Sequence, residues 1–192
     1  MIKKTITRWC KNGIIEKSDE DIYEYGLELV LYTTLNIVAV LCSATIIGKL
    51  PESLALLVIT LPLQSFGGGY HAKTHLRCFL IMYIGWWVAI FMLPIISKYA
   101  AAILVCIAIL AVFYFAPVPH INIRMSELQK QKMRKYSRVS VIIAAFASML
   151  FTYIISVRIG IALSTGLGII ALSMLIASIK NLLTNKTQHT KK

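Results

Sequence analysis

Gly67-Gly68-Gly69-Tyr70-His71-Ala72-Lys73-Thr74-His75-Leu76-Arg77-Cys78 separates two apolar runs, at about 54–66 and 79–97, and its reading decides how the chain folds. Three consecutive glycines interrupt a helix and give a backbone free to take positive φ and to approach a ligand closely. They are followed, within one short segment, by two of the four histidines and one of the four cysteines. A thiol and two imidazoles beside permissive backbone form a reactive constellation. The rest of the chain reads as its mount at a membrane.

Working outward, the run before the glycines is short. As a helix, residues 54–66 reach only ~20 Å of a ~30 Å hydrocarbon core, and they carry Pro62 near their end. Including residues 49–53 makes this run barely long enough to cross. A short, proline-interrupted apolar segment often marks the functional site of a membrane protein. The other runs are of full length: about 27–47 with Asn36 as its strongly polar interior residue, 79–97 with Trp86 and Trp87, 100–116 ended by Pro117-Val118-Pro119, 139–157 and 159–179. Hydrophobic residues make up 58% of the 192 and charged ones 15%, against roughly 25% charged in soluble proteins. The expected fold is all-α: a polytopic membrane protein with six transmembrane helices in one domain.

Ahead of the first span, Ile2, Ile6, Trp9, Cys10 and Ile14 recur at spacings of three and four, with Lys3, Lys4, Arg8 and Lys11 between them. That pattern predicts a basic amphipathic helix lying at the lipid interface. Ser18 before Asp19, Glu20 and Asp21 reads as an N-cap with acids in the first turn of the next helix. No secretory signal is expected, because the first apolar run is too long for an h-region. The domain then divides into a cytoplasmic leader (1–26), a six-helix membrane core (27–179) and a mobile basic tail (180–192).

Lys and Arg number 20 against 8 Asp and Glu, a formal net charge of +12. With the N-terminus inside, seventeen of the 20 fall in 1–26, at Lys73 and Arg77, in the loop 118–138 and in the tail. Only Lys49, Lys98 and Arg158 remain outside. The positive-inside bias therefore accounts for the charge without a nucleic-acid partner. It predicts an N-in, C-in arrangement with segment 67–78 on the cytoplasmic side. The loop 118–138 gathers Arg124, Lys130, Lys132, Arg134, Lys135 and Arg138, opposed only by Glu127.

Several chemistries lack their residues. Asp19 and Asp21 are the only aspartates, which argues against a paired-aspartate protease and against Asp-built metal-phosphate sites. No HExxH or GxSxG occurs. Cys10, Cys42, Cys78 and Cys106 form no CxxC pair, so neither a disulfide framework nor a Cys-rich zinc site is expected. No cofactor is implied. Gly160, Ser164 and Gly168 share one face of the sixth span, a small-residue pattern that suits internal packing or a homodimer seam equally.

A Cys–His pair is the minimal cysteine-nucleophile apparatus: the imidazole takes the thiol proton and the thiolate attacks a carbonyl. Lys73 and Arg77 would add positive potential favouring the thiolate. His75, three residues before Cys78, is within reach on a continuous helix and is slightly favoured as base on that ground. His71, seven before, shares the face but lies ~10 Å away along a straight helix, so it can serve only if the chain bends between the two. Other readings of the same residues are interfacial side chains in a basic loop, or a transition-metal site of His71, His75 and Cys78 that lacks a fourth ligand.

The segment Gly68-Gly69-Tyr70-His71-Ala72-Lys73-Thr74-His75-Leu76-Arg77-Cys78, after a short second span, resembles the signature of the accessory gene regulator B (AgrB) family. These are membrane peptidases that process quorum-sensing peptide precursors in Gram-positive bacteria. Length, span count, basic leader and basic central loop match over essentially the whole chain. The resemblance implies His71 as base and Cys78 as nucleophile, separated by six residues as in the family, and leaves His75 a supporting role. It implies a multi-pass protein of the bacterial cytoplasmic membrane acting on an AgrD-like propeptide with an amphipathic N-terminal helix and an acidic C-terminal tail. Lys130, Lys132, Arg134 and Lys135 are then the electrostatic partner of that tail, or an anchor to anionic lipid of the bilayer. Gln64 and backbone N–H groups near Cys78 are the candidate oxyanion donors. From another class, a small transporter or peptide exporter without covalent catalysis would explain the spans alone.

Overall fold

The computed structural model describes residues 2–70, 72, 74–118 and 126–189, with backbone only at 2–4, 11, 22, 75 and 184–189. Helix α1 (Ile2–Lys11) is followed by a 3-10 turn (Lys17–Asp19), α2 (Glu20–Ile46), α3 (Leu50–Gly67) and α4 (His75–Met92). Then come a second 3-10 turn (Leu93–Ile95), α5 (Lys98–Phe115), α6 (Glu127–Leu150), a π-turn (Phe151–Ile155) and α7 (Val157–His189). No strand occurs among the described residues. Among them, six helices are long and apolar enough to cross a membrane, at Tyr23–Ile46, Leu50–Gly67, Leu76–Ile95, Lys98–Phe115, Glu127–Ile155 and Val157–Leu183.

Local chemistry sets the helix ends. Gly48, at φ 66°, closes α2: Lys49 N–H reaches Ala44 O at 2.8 Å and Gly48 N–H reaches Thr45 O at 3.2 Å. That is a Schellman stop, which needs a left-handed residue after the helix. Ser97 Oγ accepts from Ala100 N–H at the start of α5. A reciprocal capping box of Ser126 and Gln129 starts α6. The expected cap at Ser18 is displaced by one residue. Asp19 is the N-cap of α2, without a side-chain bond, while Ser18 Oγ donates to Glu16 at 3.3 Å.

Two further expectations are corrected. Residues 118–138 are not a loop throughout, because α6 begins at Glu127 and carries Lys130, Lys132, Arg134, Lys135 and Arg138 on helix. Past the expected end of the sixth span at 179, α7 stays helical to His189. At the start of α6, good helix formers such as Leu128, Gln129, Lys130 and Met133 outweigh polarity.

Helix α7 is the centre of the bundle, packed most extensively on α5 and α3, with α6 against all three. Leu63, Val112, Val141, Leu167, Ile170 and Met174 are fully buried there. The face of Gly160, Ser164 and Gly168 is used inside this core. A Cβ on Gly160 would meet the Thr152 backbone, one on Gly168 would come 2.9 Å from Leu104, and Ser164 Oγ lies 2.6 Å from Ser148 Oγ. Small residues here allow close helix approach, and the hydroxyls satisfy one another in an apolar surround.

Helices α2 and α4 form a pair on the flank of this core. Their seam is polar at two heights: Asn36 Nδ2 donates to Phe79 O at 3.2 Å, and Ser43 Oγ lies 2.7 Å from Tyr83 Oη. Farther along, Trp86 Nε1 donates to Ser53 Oγ of α3 at 3.1 Å. Helix α1 folds back along α2, with Ile6 fully buried and Thr7 Oγ1 donating to Glu20 at 2.8 Å.

Candidate active site

The glycine run joins α3 of the core to α4 of the flanking pair. Pro62 lacks the N–H that would bond Val58 O, yet α3 continues to Gly67. It ends on Gly68, at φ 73°, whose N–H still reaches Gln64 O at 3.1 Å. The three glycines are crowded by their own chain. A Cβ on Gly67 would strike the Met174 methyl, one on Gly68 the Val118 carbonyl, and one on Gly69 would sit 2.7 Å from Ser173 Oγ. The expectation of backbone left open for a ligand is therefore corrected at these positions. Only Gly68 uses its conformational freedom, and all three admit close packing.

Hydrogen bonds complete the clamp. Val118 N–H donates to Gly67 O at 2.9 Å, which ties the end of α5 to the end of α3. Tyr70 N–H donates to Ser173 Oγ at 2.9 Å, and Lys180 Nζ lies 4.8 Å over the Tyr70 ring. A cation over an aromatic face is attracted by the ring quadrupole. Helix α7 therefore holds the residue that precedes His71.

Thr74 is extended, at φ −131° and ψ 145°, and caps α4. Its Oγ1 accepts from Arg77 N–H at 3.4 Å and its carbonyl from Cys78 N–H at 3.1 Å. Helix α4 begins only at His75, so no straight helix runs through to Cys78 from the glycine side. The expected break ahead of the cysteine is present.

Cys78 is half-buried in the second turn of α4, and Arg77 beside it is exposed. Gln64 is half-buried in the last turn of α3, with its Cγ 3.9 Å from where a Gly69 Cβ would stand. His71 and Lys73 lie outside the described residues, as does the His75 side chain, so the dyad and the alternative metal set both rest on side chains beyond that description. Arg124 also lies outside it.

The basic stretch of α6 rises from the same end of the bundle. Phe66 and Tyr136 ring centroids are 5.7 Å apart, and Ser137 Oγ is 3.7 Å from a Cβ built on Gly67. Lys132, Arg134 and Lys135 are exposed there. Lys130 pairs with Glu127 at 2.7 Å, and Arg138 is engaged with the Phe113 carbonyl at 3.3 Å and with its ring. The opposite end carries a separate charge cluster, with Glu52 only 5% exposed, 3.2 Å from Arg158 and 3.6 Å from Lys49. Sequence reasoning found Asn36 as a polar interruption and missed Ser173, Val118 and Met174. Nothing in a local pattern marks residues that act from another helix.

Six helices long and apolar enough to span, with a clamped non-helical segment just ahead of Cys78 at one end of the bundle, define a multi-pass membrane protein. The family described as Accessory gene regulator B matches residues 2–180, and the chain belongs to that family, whose members take part in quorum-sensing peptide processing and act on an AgrD-type propeptide in membranes. No curated protein and no solved structure matches the chain.

Proposed function

We propose that this protein is a membrane cysteine endopeptidase that cleaves a quorum-sensing propeptide through an acyl-enzyme on Cys78, with His71 as base, on the cytoplasmic face of the membrane. The observation that carries this reading is the break at Thr74. It removes the helix that would hold position 71 ~10 Å from the cysteine.

In this mechanism His71 takes the Cys78 proton, and Sγ attacks the carbonyl carbon of the scissile peptide bond. The tetrahedral oxyanion collapses with cleavage of the C–N bond, and the imidazolium returns its proton to the leaving amine. The C-terminal tail departs and the N-terminal part stays as a thioester on Cys78. A Cys or Ser side chain within the substrate then displaces Cys78, giving a cyclic thiolactone or lactone and regenerating the thiol. Thiol–thioester exchange is close to energy-neutral, so ring closure from the Cys78 thioester needs no ATP.

The N–H groups of Cys78 and Arg77 bond Thr74. The first-turn N–H groups of His75 and Leu76, which have no acceptor within their own helix, and the Gln64 amide are the oxyanion donors in this account. His75, Lys73 and Arg77 support the segment. A site at the bundle end, partly buried, protects the thioester from water until the internal thiol reaches it. Lys130, Lys132, Arg134 and Lys135 on α6 draw the acidic substrate tail toward Gly67.

The test is co-expression with a candidate precursor bearing a central Cys and an acidic tail. Cleavage is expected from the wild type and lost in Cys78→Ala and His71→Ala. Cleavage surviving both substitutions would sink the peptidase reading and leave a transporter without covalent chemistry.

A further inference from the structure

We propose that Asn36 is a positioning residue for Cys78, fixing the first turns of α4 on α2 through the Phe79 carbonyl; the inference rests on the reading of Cys78 as nucleophile. Asn36 is 6% exposed in the middle of the span Tyr23–Ile46. An amide buried there is costly unless it is hydrogen-bonded. Its Nδ2 donates to Phe79 O at 3.2 Å, and Phe79 directly follows Cys78. In a regular helix that carbonyl also accepts from the N–H four residues on. A second donor draws it toward α2 and fixes the rotation and height of α4 next to the cysteine.

Two stripes run along α4. Phe79, Tyr83 and Ile90 share one, and Cys78, Met82 and Ala89 share the next. The first stripe is bonded to α2 at Asn36 and again at Ser43, one heptad on. Among the described residues the stripe of Cys78 has no such tie nearby, because α3 and α4 touch little and Trp86 meets Ser53 two turns away. The orientation of Cys78 therefore depends on α2, and Asn36 makes the bond beside it.

The experiment uses the full chain in membranes with Cys10, Cys42 and Cys106 replaced by Ser. It reads the rate of Cys78 labelling by a maleimide and, separately, kcat and KM for the precursor. Asn36→Leu keeps the number and branching of side-chain heavy atoms and removes the donor. It is expected to change the labelling rate several-fold and to lower kcat roughly 10- to 100-fold with KM nearly unchanged, the scale of a small misplacement of a reacting group. Asn36→Gln retains the donor and stays close to wild type in both. Ser43→Ala weakens the same seam farther away, lowering thermal stability while leaving labelling and kcat intact.

Wild-type labelling in Asn36→Leu would overturn the proposal, as would a Ser43→Ala chain that reproduces its losses at equal stability. If cleavage persists in Cys78→Ala, the nucleophile reading fails, and the labelling rates still decide whether Asn36 sets the cysteine.

Discussion

Tyr70 is bonded through its backbone N–H to Ser173 Oγ at 2.9 Å, a contact between residues 103 apart in sequence. Through it the core of the bundle holds one side of the non-helical segment, while α2 holds the other through Phe79. Ser173→Val should cost about 1 kcal/mol of stability, the worth of one such bond. It should lower kcat for precursor cleavage more than it raises KM. Kinetics on the purified variant check the split.

Gly68→Ala should be among the most damaging single changes. It forces an L side chain into positive φ, worth about 1–3 kcal/mol, and drives Cβ into the Val118 carbonyl. Gly85→Ala is the matched control, since nothing lies within 4 Å of its Cβ. In mid-helix it should stabilise by roughly 0.5–1 kcal/mol. Thermal unfolding in detergent distinguishes the two.

The cluster of Glu52, Arg158 and Lys49 lies at the far end of α3 from the cysteine segment, so its loss should separate stability from activity. Arg158→Ala removes the closer cation from a buried carboxylate. A charged hydrogen bond is worth about 1.5–3 kcal/mol, and the lower end applies because the Arg158 side chain is 73% exposed. The melting temperature should fall while kcat/KM, measured below the transition, stays at the wild-type value.

Reversing Lys132, Arg134 and Lys135 to Glu should raise KM for a precursor with an acidic tail and leave kcat alone, with the effect shrinking as salt is added. These three are exposed on a capped helix, which presents them without the entropy cost of ordering a loop. An unchanged KM would assign them to anionic lipid.

The six spans were legible because apolar length alone reports a membrane helix, whereas helix geometry called for a break between His71 and Cys78 only once the family resemblance made His71 the base. Misreadings arose where polarity was taken for irregular structure. Ser126 and Gln129, three residues apart ahead of helix-forming Lys, Gln and Met, signal a helix start that the basic composition obscured. The glycine run shows a deeper limit. Gly67, Gly68 and Gly69 read equally well as open or crowded backbone, and what decides is Val118, Ser173 and Met174, distant in sequence. Asn36 stood out as polar, but its partner is a backbone carbonyl of another helix, which leaves no pattern in either segment.

The proposed mechanism turns on a covalent thioester on Cys78. Its most direct test is intact-protein mass spectrometry after co-expression with a precursor whose ring-closing Cys is replaced by Ala, so that the second transfer cannot occur. The predicted result is a mass addition equal to the N-terminal part of the precursor, located on Cys78, removed by hydroxylamine and absent from His71→Ala. Tail release at the normal rate with no adduct at Cys78 would rule out the acyl-enzyme.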